Sequence, residues 1–328
     1  HPMALLEGMD IVYASPGVPL ETALLVEARR RNIPLSSETR LFATRCPAPV
    51  AGITGSSGKT TCTALVGKML KAAGKRPWVG GNIGQPLIGH LDEIDPADWV
   101  VMELSSFQLE FFGPWPSALA DSRAAQAMGP AAGWSPPIAA ILNITPNHLD
   151  RHASMEAYVA AKLRILDCQK TDDTAVLGLD NLATRRIGEK VDMRQRVLWF
   201  SLEDRVDEGA FLRGSELALR LQGHEEAVCS VDELKLLGRH NVANALAACA
   251  IAAAAGTPVG ALRQATTTFS GVEHRLELIR ERGDIRWYND SIATTPERTV
   301  AALQAFRAPV VLLAGGRDKH LPWQAMAD

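Results

Sequence analysis

The chain has 328 residues, 47% of them hydrophobic and 22% charged, the profile of a globular protein with room for two or three domains. A formal net charge of -3 gives no whole-chain reason to expect a nucleic-acid partner. Cys46, Cys62, Cys168, Cys229 and Cys249 are scattered without CxxC spacing, which argues against a zinc site and a redox dithiol.

In chain order, "IVYAS" reads as a strand ending at the Pro16-Gly17 turn, "ETALLVEARRRN" as a helix and "IPLSS" as a second strand. "ATRCPAP" breaks the pattern and sets a first boundary. A second series follows: strand "PVAGIT", helix "KTTCTALVGKMLKAAG", then strands "RPWVGG", "DWVVMELSS", "IAAILNIT", "TAVLGL" and "RVLWFS". Strands alternating with helices predict an α/β fold, with a mostly parallel sheet covered on both faces. Between Phe111 and Pro137 lies a Pro-, Ala- and Gly-rich stretch, long for a connection and read as a surface insertion. "NVANALAACAIAAAAG" and "PVGALRQATTTF" are helices; the former is too short and Ala-rich to span a bilayer. After "FSGVEHR" the pattern restarts as strand "DIRWYND", helix "PERTVAALQAF" and strand "PVVLLAGG". Free thiols and the absence of a recognisable signal peptide lead us to expect a cytoplasmic protein with no membrane partner.

Ligands of such sheets bind beyond the carboxyl ends of the strands. Polar clusters stand there after Thr54, at Glu103 to Ser106 and after Ile144. The first is "ITGSSGKTT". Gly55 and Gly58 let the backbone turn its N–H groups, with those of Ser56 and Ser57, toward an anion, and the helix beginning near Lys59 adds its positive end. Lys59 can bridge terminal phosphates, and Thr60 or Thr61 can hold Mg²⁺. The usual spacing G-x-x-x-x-G-K-S/T is not met, because Ile53 stands five residues before Gly58; the strand-loop-helix context still predicts nucleotide phosphate binding. Glu103 could hold Mg²⁺ beside the loop. "NITPNHLDRH" carries His148, Asp150 and His152 at the end of another strand.

Nine motifs then occur in one order: "TGSSGKTT", "GGNIG", "ELSSFQLE", "NITPNHLDRH", "YVAAK", "GRHNVANALAA", "FSGVEHR", "NDSIATTPE" and "LLAGGRDK". Together they resemble the Mur ligases, and "ELSSFQLE" and "SPGVP" are most similar to the branch that adds D-glutamate. The resemblance implies an ATP-dependent, ADP-forming acid–D-amino-acid ligase of peptidoglycan precursor synthesis. ATP would phosphorylate the carboxylate of UDP-N-acetylmuramoyl-L-alanine, and the amine of D-glutamate would displace phosphate from the acyl phosphate. It implies one Mg²⁺ on Thr60 and Glu103, and a second on His148 and a carbamylated Lys162. Lys59, His148 and Lys162 would be catalytic. Asn82, Ser105 and Gln108 would contact the muramoyl substrate, Asn241 and Asn244 adenine, His274 and Arg275 ATP, Asp290 ribose, and Lys319 the D-glutamate carboxylate. Taken alone, Lys162 reads as a solvated helix lysine, Gln108 as a helix-surface residue and the two asparagines as helix caps.

The implied architecture has three domains: residues 1–45 a partial uridine-nucleotide domain, 46–270 the ATP-binding domain, and 271–328 a partial Rossmann-like amino-acid domain. The glycine-rich turn that contacts the uridine diphosphate and the Ser-rich segment that completes the D-glutamate site have no counterpart here, so a longer, monomeric ligase is expected. Ile292 stands where the family often has Lys. Other Mur ligases, folylpolyglutamate synthetase, a non-catalytic nucleotide-binding scaffold and an unrelated P-loop NTPase are the competing readings.

Overall fold

The computed structural model describes residues 3–84, 86–114, 133–148, 151–191, 195–293, 296–306, 308–316 and 323–327. Its centre is a nine-stranded sheet in the order β11-β10-β9-β8-β7-β6-β3-β5-β4. β3 (Val50–Thr54), β4 (Pro77–Gly81), β5 (Trp99–Glu103), β6 (Ile138–Ile141), β7 (Thr174–Gly178) and β8 (Arg196–Ser201) run parallel. All five residues of β3 are buried, as expected of a strand covered on both sides.

Alternate residues feed two core layers. Ala51, Ile53, Val101 and Val176 pack with Cys62, Leu65, Val66 and Met69 of the Lys59–Ala72 helix and with Leu246, Cys249 and Ala250 of the Arg239–Ala254 helix. Val50, Val100, Met102 and Ala175 face Phe42, Leu109, Phe112, Tyr158 and Ile165 on the other side. The Arg239–Ala254 helix is buried nearly all round, and its run of alanines lets it lie against both the sheet and the Lys59–Ala72 helix.

The sheet continues through β9 (Gly209–Arg213), β10 (Glu216–Leu221) and β11 (His224–Ser230), a meander not anticipated from the sequence. β9 is parallel to β8, and β10 is antiparallel to both neighbours. The turn chemistry is plain in retrospect: Gln222 and Gly223 both have positive φ, 51° and 79°, as a tight hairpin turn of the primed type requires.

Before this sheet, β1 (Val12–Tyr13) pairs in parallel with β2 (Leu35–Ser36) across the Ala23–Arg30 helix. An unanticipated helix, Glu38–Arg45, follows; Ser37 caps it by accepting from the Arg40 N–H at 3.2 Å. After the sheet, β12 (Glu277–Arg282) and β13 (Ile285–Asn289) form an antiparallel hairpin, and Pro296–Leu303 is a helix. "PVVLLAGG" is not a strand: no described strand pairs with it, and Val311 and Leu313 are 90% and 84% exposed. An apolar run becomes a strand only with a neighbour to bond to. The expected insertion lies largely outside the described residues, as do Asp150 and Lys319. Among the described residues no helix is long and apolar enough to cross a membrane.

Phe42, fully buried in the second layer, gives a direct check of this packing. Phe42→Ala should lower stability by about 3–5 kcal/mol, read as a lower urea midpoint; a change under about 1 kcal/mol would place that helix outside the core.

Candidate functional site

β3 lies between β5 and β6, and the chain leaves β3 toward β4 but leaves β6 toward β7. This reversal opens a crevice at the carboxyl ends of β3 and β6, and the glycine loop occupies it. Ser56 N–H donates to the Asn143 carbonyl and Ser57 N–H to Asn143 Oδ1, both at 2.9 Å. Ser56 Oγ donates to the Thr145 carbonyl at 2.9 Å, accepts from the Thr145 N–H at 2.9 Å and lies 3.1 Å from Tyr158 Oη. Gly58 caps the Lys59–Ala72 helix with φ 82°, and a Cβ there would collide with Asn244 Oδ1, so both conformation and space demand glycine. The first-turn N–H groups after it have no intrahelical acceptor and form a positive helix end.

Two ammonium groups meet at this loop. Lys59 Nζ and Lys162 Nζ both donate to the Gly55 carbonyl, at 2.9 and 3.0 Å, and Lys162 also reaches Thr54 Oγ1 at 3.3 Å. Lys162 is not a solvated helix lysine: it is 1% exposed. On the Met155–Leu163 helix it stands one turn beyond Tyr158, so both side chains reach the loop. Burial, then the nearby Lys59 charge, pushes the Lys162 amine down to about 7, with Glu103 opposing. Burial also lowers Lys59; Glu103 opposes this, while Arg298 and Arg275 add to it.

Glu103 is buried at the end of β5, where its carboxylate accepts from Thr60 Oγ1 at 2.8 Å and Asn82 Nδ2 at 3.0 Å. Thr61 is buried and its hydroxyl has no partner among the described residues, whereas Thr60 Oγ1 bonds to the carboxylate. Ser105 and Gln108 form a reciprocal capping box on a short helix, Ser106–Leu109. Gln108 is buried and donates to Thr39 Oγ1 at 3.1 Å; it is not on a helix surface. His152 is buried, its Nε2 2.9 Å from Ser106 Oγ and its ring stacked on Phe107. His148 is exposed, with φ 55° and its ring edge-on to Phe107 at 5.2 Å.

The crevice widens into a cleft of about 330 Å³ lined by Ser57, Gly58, Asn143, Asp180, Asn181, His240, Asn244, Arg275, Asp290 and Arg298, among others. The geometry thus brings together the loop, Asn244, Arg275 and Asp290. Asn241 instead faces a neighbouring depression of about 370 Å³, donating to the Leu237 carbonyl at 2.7 Å and accepting from Asn244 Nδ2 at 3.0 Å. The Asn241 and Asn244 side chains bond within their own helix region without capping its start, which is Gly58-like in using glycine, Gly238. His274 is exposed and lines neither space; its Nδ1 lies 2.8 Å from Asn289 Nδ2. Burial raises Asp290, while Leu276 N–H and Arg275 oppose that rise. Sequence reasoning missed Asn143, Asp180, Asn181, His240 and Arg298. Asn143 carried a signal, its place at the carboxyl end of β6; Arg298, inside a helix, carried none.

Residues 53–252 match the Mur ligase middle domain. The chain is similar to the UDP-N-acetylmuramoylalanine–D-glutamate ligase of Clostridium novyi, 40% identical over 324 residues, with 98% of this chain and 65% of that protein covered. Against the ligase of the same name from Symbiobacterium thermophilum it is 42% identical over 322 residues, covering 97% and 66%. The chain therefore spans just under two thirds of the length of these curated relatives. Among solved structures, MurF of Acinetobacter baumannii is similar at TM-score 0.62 and 22% identity, covering 83% of this chain and 59% of that one. UDP-N-acetylmuramate-alanine ligase MurC of Thermotoga maritima is similar at 0.57 and 23%, covering 90% and 63%. At these identities the structures establish a shared fold.

The depressed Lys162 value has a thermodynamic sign. Folded protein binds fewer protons than unfolded chain between about 7 and the ordinary lysine value near 10.4, so this group makes stability rise with pH through that window. Lys162→Met should flatten the rise in melting temperature there; an unchanged slope would show that the amine is not held in the folded state as described.

Proposed function

The chain belongs to the Mur ligases, and from that premise we propose that it serves the ATP-dependent addition of D-glutamate to UDP-N-acetylmuramoyl-L-alanine. The observation that carries the proposal is the convergence of Lys59 and Lys162 on the glycine loop beside the Glu103 carboxylate. Amid so much buried positive charge an anion is stabilised. The 40% identity to D-glutamate ligases over 98% of the chain supports the choice of amino acid.

In this reading the loop Gly55, Ser56, Ser57, Gly58 and the first turn of the following helix cradle the nucleotide phosphates, with Lys59 on the terminal one. Asn244, Arg275 and Asp290 line the cleft that takes the nucleoside side, and Asn82, Ser105 and Gln108 stand toward the muramoyl-alanine substrate. An oxygen of the substrate carboxylate attacks the γ-phosphorus, the bond to the bridging oxygen breaks and ADP leaves. The amine of D-glutamate then attacks the acyl carbon, gives up a proton, and inorganic phosphate departs with the electron pair of its bond to carbon. Phosphoryl transfer needs position and charge neutralisation above all.

Thr60 and Glu103 present hard oxygen donors, a set that fits Mg²⁺. Lys162 as an ammonium does not fit a metal, but an amine lowered to about 7 is partly neutral at physiological pH and so able to take up carbon dioxide as a carbamate. With His148 it would then offer a second set. Bound magnesium would neutralise charge on the transferring phosphoryl group. Residues 1–45, 46–270 and 271–328 are the proposed substrate, ATP-binding and amino-acid domains.

Phosphate release from ATP and Mg²⁺ with UDP-N-acetylmuramoyl-L-alanine tests the reading. Release should require D-glutamate and not occur with L-alanine, L-glutamate or diaminopimelate; another preference would move the chain to another branch, and none to a scaffold. Lys59→Ala should lower turnover by about a hundredfold or more, and full activity would refute its role. Lys162→Ala should be inactive but partly restored by short carboxylic acids; unaided activity would refute the carbamate.

A further inference from the structure

Arg298 lies on the Pro296–Leu303 helix, half-buried on the wall of the same cleft that Ser57 and Gly58 line. Its one hydrogen bond among the described residues runs from Nη1 to the Ile292 carbonyl at 3.5 Å, the outer limit for such a bond. It makes no salt bridge among those residues. A guanidinium has five donors in a planar fork, so most of its capacity is unspent among the described residues.

The charges around it point the same way. Arg275 and Lys59 both feel Arg298 as a like charge. Of the nearby carboxylates, Asp290 accepts from Leu276 N–H at 3.0 Å and offsets part of the Arg275 and Arg298 charge, Asp180 accepts from Ser201 and Leu202, and Glu103 accepts from Thr60 and Asn82 while offsetting Lys59. Arg298, Arg275 and Lys59 thus border a partly desolvated space with Asp290 and Glu103 as their countercharges, and a polyanion seated there would meet three cations. Arg298 shares this cleft with Ser57 and Gly58 of the glycine loop, the end at which a nucleotide's phosphates would lie.

We infer that Arg298 is a further phosphate-contacting residue, brought from the Pro296–Leu303 helix to the terminal phosphate of a nucleotide seated on the glycine loop. This rests on the nucleotide reading above. Its fork suits two oxygens of one phosphoryl group, and contact with the transferring group from an element outside the central sheet would couple the placement of that helix to the presence of a triphosphate.

The test is calorimetric titration of the protein with Mg²⁺ and either ADP or a β,γ-imido analogue of ATP, for wild type, Arg298→Gln and Arg298→Lys. Arg298→Gln should weaken the triphosphate analogue by about tenfold and ADP by less than about twofold, with Arg298→Lys between. Equal weakening of both nucleotides, which a merely structural arginine would give, overturns the inference, as does no change in either. So does a change confined to the D-glutamate KM in the phosphate-release assay, which would mark a carboxylate contact. Nucleotide binding by the wild type with no Arg298 effect sinks this inference alone; no binding by the wild type sinks the nucleotide reading with it. Matched melting temperatures show that the variants fold.

Discussion

One carbonyl oxygen, that of Gly55, accepts from two ammonium groups, and much of the site follows from that crowding. Burial first, and then the like charge of Lys59 beside it, makes the Lys162 amine lose its proton more easily. Glu103 offsets part of the repulsion, yet its oxygens also serve Thr60 and Asn82. The arrangement is preorganised for incoming negative charge: the cost of gathering the cations is met in folding, and the ligand receives the benefit.

The sheet makes such crowding possible. Because β3 is flanked by β5 and β6, its carboxyl end receives side chains from both neighbours: Glu103 from one, Asn143 from the other. Helices packed on opposite faces then add Lys59 and Lys162. Gly58 admits Asn244 so closely that any side chain would displace it, which ties the Arg239–Ala254 helix to the loop. Rigid elements, not long loops, thus set most of the distances in the site.

What could be read beforehand follows a physical division. The parallel strands, the Lys59 helix start and the polar strand ends are local facts, carried by a few adjacent residues, and all were legible. Taken alone, Lys162 and Gln108 read as surface residues because their spacing says nothing about what covers them; both are buried by partners distant in sequence. Arg298 is the extreme case, a helix residue whose relevance depends on where its helix lies. "PVVLLAGG" failed in the opposite sense: its composition suits a strand, but pairing is a property of two segments. The β9–β11 meander carries a turn signal at Gln222-Gly223, but no described helix intervenes to tie its antiparallel strands to the parallel series before them.

The glycine loop also has a history within each molecule's synthesis. Its backbone leans on Asn143, 86 residues after Ser57, on Lys162, 107 after Gly55, and finally on Asn244. At ordinary ribosomal speeds the interval between Gly58 and Asn244 is on the order of ten seconds. Throughout that time the emerging chain holds the loop's residues without the walls that shape them. The loop therefore gains its full set of neighbours only once the Arg239–Ala254 helix has been made.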